Sequence, residues 1–225
     1  MKLFISATSP FARKVRIVAR EKELMDRIEE INRVPVESAS DLVAVNPLSQ
    51  IPALLDDDGV AWSDSGLISA RLDAIGRGPK LLPEAGSEAY WQVRRIETIA
   101  AGLNEMMAKI IYENRRPETE RSLYWLERWE NNLRRSFEQA GAICPDADVF
   151  DMVSLSLVVA ATFCDFRLSR IDWRSLAPKL SLRTPHPIAN RGWSPAASVY
   201  VGRSIVDCWS SSISRASTAR RWIRW

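Results

Sequence analysis

The apolar pattern of this chain changes its period once, and that change dictates two units of different kind. Up to Gly76, short alternating runs are interleaved with short helical ones; beyond Gly86, every periodic run is helical. The breakers between them, Gly76-Arg77-Gly78-Pro79 and Leu82-Pro83-Glu84-Ala85-Gly86, read as a linker. In the first part, Lys2–Ser6 and Arg27–Val34 have strand character. Between them, Ser9 is placed to cap a helix whose first turn holds Pro10 and whose buried face holds Val15, Val18 and Ala19. Ala53–Leu55 and Val60–Trp62 read as two strands joined by the turn Asp56-Asp57-Asp58-Gly59, and Asp64-Ser65-Gly66 opens a helix to about Ile75. The predicted order is β-α-β-α-β-β-α over residues 1–77.

Residues 87–182 form the second unit. Val93, Ile96, Ala100, Leu103, Met107 and Ile110 recur at alternating spacings of three and four, which predicts a long amphipathic helix at 87–112. A second helix runs from Leu123 to Gly141. A third, from Val149, is apolar around most of its circumference and should be central, with Asp148 as its N-cap and Asp151 at the third helical position. The expected fold class is an α/β domain followed by an all-α helical domain.

Composition narrows the chemistry. His186 is the only histidine, so a histidine base or a histidine-rich metal site has little to work with, and no metal is expected. Cys144, Cys164 and Cys208 stand far apart without a C-x-x-C pair, which fits a reducing cytosol. The start, MKLFISATSPF, lacks the apolar run of a secretory signal. Met152–Cys164 is apolar but interrupted by Ser154, Ser156 and Thr162, and too short to span a bilayer. A cytoplasmic protein with no membrane partner is the expectation.

Three local features carry chemistry, each with a plainer reading. Ser9 at a helix mouth is by itself a cap. Ile51-Pro52 before a short strand is by itself a loop end, but a cis bond there would free the Ile51 main chain to pair with an extended peptide. Asp64-Ser65 is by itself another cap, but a helix end with a hydroxyl grips a carboxylate while Asp64 takes an amine. Their order along the chain is informative. Ser9-Pro10-Phe11-Ala12-Arg13-Lys14-Val15-Arg16, Asn46-Pro47-Leu48-Ser49-Gln50-Ile51-Pro52-Ala53-Leu54, Asp64-Ser65 and Asp148-Val149-Phe150-Asp151 together resemble the glutathione transferase family from Lys2 to about Leu182. The closest likeness is to its bacterial serine-type members, since no cysteine stands near Ser9 and no tyrosine precedes it.

That resemblance implies a thioredoxin-like N-terminal domain, glutathione as co-substrate, a small electrophile as second substrate, a role in detoxification and a homodimer. Ser9 would stabilise the thiolate, with Ser6 and Thr8 as nearby rivals. A hydroxyl donating to the sulfur contributes about 1.5–3 kcal/mol and the helix N-terminus roughly 0.3–1 kcal/mol. Together, about 2–4 kcal/mol would lower a thiol pKa near about 8.5 by roughly 1.5–3 units. By resemblance, Phe11 and Pro52 belong to the glutathione site, Ile51 pairs with the cysteinyl unit, Gln50 reaches the glycyl end, and Asp64 with Ser65 hold the γ-glutamyl end. Arg94, Met107 and Tyr112 are candidates for the electrophile pocket, with core packing or solvated charge as the plainer role for each. Trp91, Trp125 and Trp129 read as helix-packing residues. The alternative function is a non-enzymatic interaction protein on the same fold, such as a partner of the transcription machinery.

The net charge of +3 conceals a division, since residues 183–225 carry seven Arg, one acid (Asp207) and no Lys. That tail also holds eight Ser, four Trp and three Pro, and it departs from the family pattern. The expectation for it is a product of a shifted reading frame, because a GC-rich gene read out of frame yields Arg, Ser, Pro, Ala and Trp. An Arg/Trp-rich segment for an anionic surface or nucleic acid is the rival; nucleic acid is not the expected partner.

Overall fold

Four short strands, β1 (Lys2–Ile5), β2 (Glu29–Asn32), β3 (Ala53–Leu55) and β4 (Ala61–Ser63), form one sheet in the order β2-β1-β3-β4. They belong to a computed structural model that describes residues 1–145 and 150–184. β1 runs parallel to β2, with Phe4 opposite Ile31, and antiparallel to β3, with Phe4 opposite Ala53. The parallel pair needs a crossover, and α1 (Pro10–Glu21) supplies it. The period of two in β1 sends Leu3 and Ile5 into the core against α1 and α3 (Ser65–Ile75), while Phe4 packs with Leu42 on the opposite side. Leu42 lies on the short helix α2 (Ser40–Val45). At the β3–β4 turn, Gly59 takes φ 79°, and the Asp56 carboxylate accepts from the Val60 N–H and the Trp62 indole.

Among the described residues after residue 86, the elements are helical: α4 (Glu88–Arg115), α5 (Leu123–Ile143), α6 (Met152–Arg167), α7 (Trp173–Leu176) and α8 (Pro178–Ser181). The thioredoxin-like region followed by a helical domain is the architecture expected from the sequence. α6 is buried at every position from Met152 to Cys164. Its Met152, Leu155 and Val159 complete the core beneath the sheet, whereas Leu157, Val158, Ala161 and Cys164 pack with α4 and α5.

The start of α6 corrects one expectation. Its N-cap is Asp151, whose carboxylate accepts from the Ser154 N–H at 2.7 Å while the Ser154 hydroxyl accepts from the Asp151 N–H at 3.0 Å. The reciprocal box is therefore shifted three residues on from the one anticipated at Asp148, to where burial begins. Asp148 itself, like His186, Cys208 and the rest of 185–225, lies outside the described residues.

The end of α1 is tied to α3 by a buried ion pair and to the linker by a hydrogen bond. Lys22 is fully buried; its Nζ lies 3.1 Å from Asp73 and donates to the Pro79 carbonyl at 2.8 Å. The two Asp73 oxygens also accept from the Leu81 and Leu82 amides at 3.0 and 3.1 Å. Gly76 passes so close that a Cβ there would meet the Lys22 Cβ at 2.4 Å. Removing one partner of such a pair strands the other charge. Asp73→Ala should therefore cost about 3–5 kcal/mol, read as the shift in urea midpoint at unchanged slope.

Candidate functional site

A cleft of about 590 Å³ opens between the sheet-side region and the helices α4 and α6. One wall carries Ser6, Thr8, Ser9, Phe11, Gln50, Ile51, Pro52, Asp64 and Ser65. All seven residues assigned to glutathione by resemblance thus face one cavity, although they come from three separate stretches of chain.

Ser9 is the N-cap of α1. The Ala12 N–H donates to its Oγ at 3.2 Å and the Arg13 N–H to its carbonyl at 3.0 Å. Pro10 has no N–H, so the Phe11 amide is the one first-turn donor without a partner among the described residues. The Ser9 hydroxyl accepts from the helix but donates to no described residue, which leaves its proton for a ligand. Two donors, the Ser9 O–H and the Phe11 N–H, therefore stand at the positive end of a 12-residue helix. Ser6 and Thr8 lie in the same wall, but the cap is Ser9; Ser6 supplies only its carbonyl, which accepts from the Ser9 N–H at 3.1 Å.

The second stretch is held by Asn46, which is buried. Its amide donates to the Gln50 carbonyl at 2.9 Å and its side-chain oxygen accepts from the Leu48 N–H. The Ser49 hydroxyl ties the same loop to the Pro35 carbonyl. The Ile51-Pro52 peptide is cis, and neither the Ile51 N–H nor its C=O bonds to a described residue. The Gln50 side chain is exposed and unengaged among the described residues.

At the third stretch, Asp64 caps α3 by accepting from the Leu67 N–H at 2.8 Å, and Ser65 occupies the first turn. Behind it lies an ionic triad: Glu97, buried on α4, bonds the buried Lys14 of α1 and, at 2.8 Å, the partly exposed Arg94. The Arg94 guanidinium also abuts Gly66, where a Cβ would lie 3.4 Å from it. The triad thus braces the starts of α1 and α3 against α4.

The opposite wall departs from expectation. Tyr112 lines the cleft, but Met107 is fully buried in the helical core and Arg94 is engaged with Glu97, so neither lines it. Ala101, Glu105, Ala108, Ile111 and Arg115 of α4, with Phe163 and Arg167 of α6, complete the wall. A signal for the α4 part was available. Positions 101, 105, 108, 112 and 115 repeat at alternating spacings of four and three, offset from the core row by one or two residues. Trp129 packs against the helical core and stacks on Trp125, whereas Trp91 is 58% exposed; none of the three lines the cleft.

Among the described residues, no cysteine lines the cleft. Cys144 and Cys164 are buried in the helical core, and burial, then Asp165, pushes the Cys164 thiol up to about 12. Among the described residues, no group of His, Cys, Asp and Glu is arranged to hold a metal, and no helix is long and apolar enough to cross a membrane.

Known proteins resemble this chain in sequence and fold. Residues 8–75 match the family described as glutathione S-transferase, N-terminal domain. An uncharacterized GST-like protein of Escherichia coli K12, YibF, is 29% identical over 187 residues, covering 83% of this chain and 89% of the relative. A glutathione transferase family member from Pseudomonas fluorescens Pf-5, solved with bound glutathione, superposes with a TM-score of 0.76 at 28% identity, over 80% of this chain and 90% of that one. A glutathione S-transferase from Methylobacillus flagellatus KT, also with glutathione bound, gives 0.71 at 29% identity with the same coverage.

The cap on α3 separates two roles of Asp64. Asparagine is an equally good N-cap, so Asp64→Asn should leave the urea midpoint nearly unchanged, whereas Asp64→Ala should lose about 1 kcal/mol of stability.

Proposed function

We propose that this chain, which belongs to the glutathione transferase family, binds glutathione along the sheet-side wall of the cleft and transfers its thiolate to a small electrophile. The observation that carries this reading is the convergence of two free donors, the Ser9 O–H and the Phe11 N–H, at a helix N-terminus in the same cleft as the unpaired Ile51 main chain and Asp64-Ser65.

Each part of the tripeptide meets a matching group. The extended cysteinyl unit takes the Ile51 N–H and C=O in the manner of an added strand. The γ-glutamyl carboxylate takes the Ser65 hydroxyl and the first-turn amides of α3, its ammonium takes Asp64, and Gln50 reaches the glycyl carboxylate. The sulfur then lies at the start of α1, where donors favour the thiolate over the thiol. In the transfer step the sulfur's electron pair forms a C–S bond to the electrophilic carbon, and the leaving group departs with its own bonding pair. No proton need be removed at that moment, because the thiolate is already formed; the chemistry therefore requires no histidine. Homodimerisation and a cytoplasmic setting belong to the same proposal, by resemblance to the family.

Two measurements test it. Glutathione should raise the thermal midpoint in proportion to the logarithm of its concentration, since it binds only the native state. Asp64→Asn, which keeps the cap on α3, should weaken that binding by at least about tenfold through loss of a charge-assisted pair. In the second, Ser9→Ala removes a bond to the thiolate, so the bound thiol pKa rises. The rate against pH should then move to higher pH by about one to two units, with a loss of at least about tenfold near neutrality that closes at alkaline pH. An unchanged pH profile would assign the sulfur to another donor, and tight glutathione binding without turnover of any electrophile would favour a binding protein.

A further inference from the structure

The wall facing Ser9 contains a charge arrangement that transfer to a neutral electrophile does not need. Arg115, at the end of α4, and Arg167, at the end of α6, both line the cleft. Neither makes an ion pair or hydrogen bond with a described residue. Each rests instead on an aromatic face: Arg115 lies 5.3 Å from the centre of the Tyr112 ring and Arg167 lies 4.5 Å from that of Phe166. The Arg167 Nε is buried with no hydrogen-bond partner, an N–H that ordinarily finds an acceptor. The Arg167 guanidinium is held below its usual range first by burial and then by the positive charge of Arg115, partly countered by Tyr112. The one carboxylate on this wall, Glu105, is already paired with Lys109 at 2.6 Å.

Two like charges on one wall, whose own carboxylate Glu105 is already paired with Lys109, form an anion receptor, and guanidinium presents the fork that a carboxylate matches. Between them and Ser9 the lining is apolar: Ala101, Ala108, Ile111 and Phe163. We infer that the second substrate is an amphipathic electrophile, with an apolar body against these four residues and a carboxylate seated between Arg115 and Arg167. The inference rests on the glutathione reading above and adds to it the class of co-substrate. Arg115 and Arg167 are positioning residues here; they touch the substrate's charged end and take no part in the C–S bond.

The test measures binding rather than turnover, using isosteric conjugates that differ only in the charged end. The pairs are S-(4-carboxybenzyl)glutathione against S-(4-methylbenzyl)glutathione, and S-(3-carboxypropyl)glutathione against S-butylglutathione. By calorimetry at low salt, the carboxylate member of at least one pair should bind about tenfold or more tightly than its neutral partner. That preference should shrink at about 0.5 M NaCl, as screening of a partly exposed ion pair requires. It should also fall to about threefold or less in Arg167→Met. Arg115→Met, at an exposed helix end, gives a second route to the same result if Arg167→Met does not fold. Equal affinity within both pairs, or a preference that survives both substitutions, overturns the inference while leaving the glutathione reading intact. If glutathione and all four conjugates fail to bind, both fall together.

Discussion

A helix that is apolar on every side must be walled in on every side, and α6 imposes that requirement on this molecule. Thirteen consecutive residues, Met152–Cys164, are buried. Their polar members are satisfied locally: the Ser156 hydroxyl donates to the Met152 carbonyl and the Thr162 hydroxyl to the Val158 carbonyl. One face of α6 completes the core under the sheet and another the core among α4 and α5, so the two regions share a single buried element. The Met152 N–H donates to the Leu81 carbonyl, which fixes the start of the helix to the linker. The far end of the same helix carries Phe163 and Arg167 into the cleft. Burial of α6 thereby sets how the helical wall stands against the sheet-side wall.

Hydrophobic burial is non-directional and would allow the helix ends to slide. The ionic groups supply direction. Glu97 engages Lys14 and Arg94 in a site with little solvent, and Asp73 engages Lys22 and two backbone amides of the linker. Buried pairs of this kind add little net stability compared with apolar packing, yet their loss is costly, because a stranded charge has nowhere to go. Their value here is positional. Glu97 holds the early turns of α1 through Lys14 and the start of α3 through Arg94, the helices whose capping residues Ser9 and Asp64 stand on the sheet-side wall, while Asp73 holds the far end of α1. A small error in either helix would misplace donors that act over hydrogen-bond distances.

Much of that wall was legible in the sequence because its signals are local. A cap residue before Pro10, the double-proline loop at 46–52 and the Asp64-Ser65 opening each announce their own backbone geometry within a few residues. The opposite wall was less legible, and of its three candidates only Tyr112 lines the cleft. Met107 belongs to the row Leu103, Met107, Ile110, which packs inward; the cleft takes the neighbouring row that ends at Tyr112 and Arg115. Arg94 looked like a substrate contact, but its partner Glu97 is three residues along the same helix. The start of α6 slipped because Asp148-x-x-Asp151 and Asp151-x-x-Ser154 overlap as candidate boxes, and only burial of Met152 selects the second.

By itself, then, the sequence determined the order of elements, the change from an α/β region to a helical one, and the residues that cap α1 and α3, since each follows from periodicity or capping over a short span. Only the tertiary structure decided that Arg115 and Arg167, from different helices, share one cavity with Ser9, and that Glu97 holds Lys14 across the two regions. Such contacts depend on the rotation of each helix about its own axis, and packing around α6 sets that rotation. No local pattern encodes it.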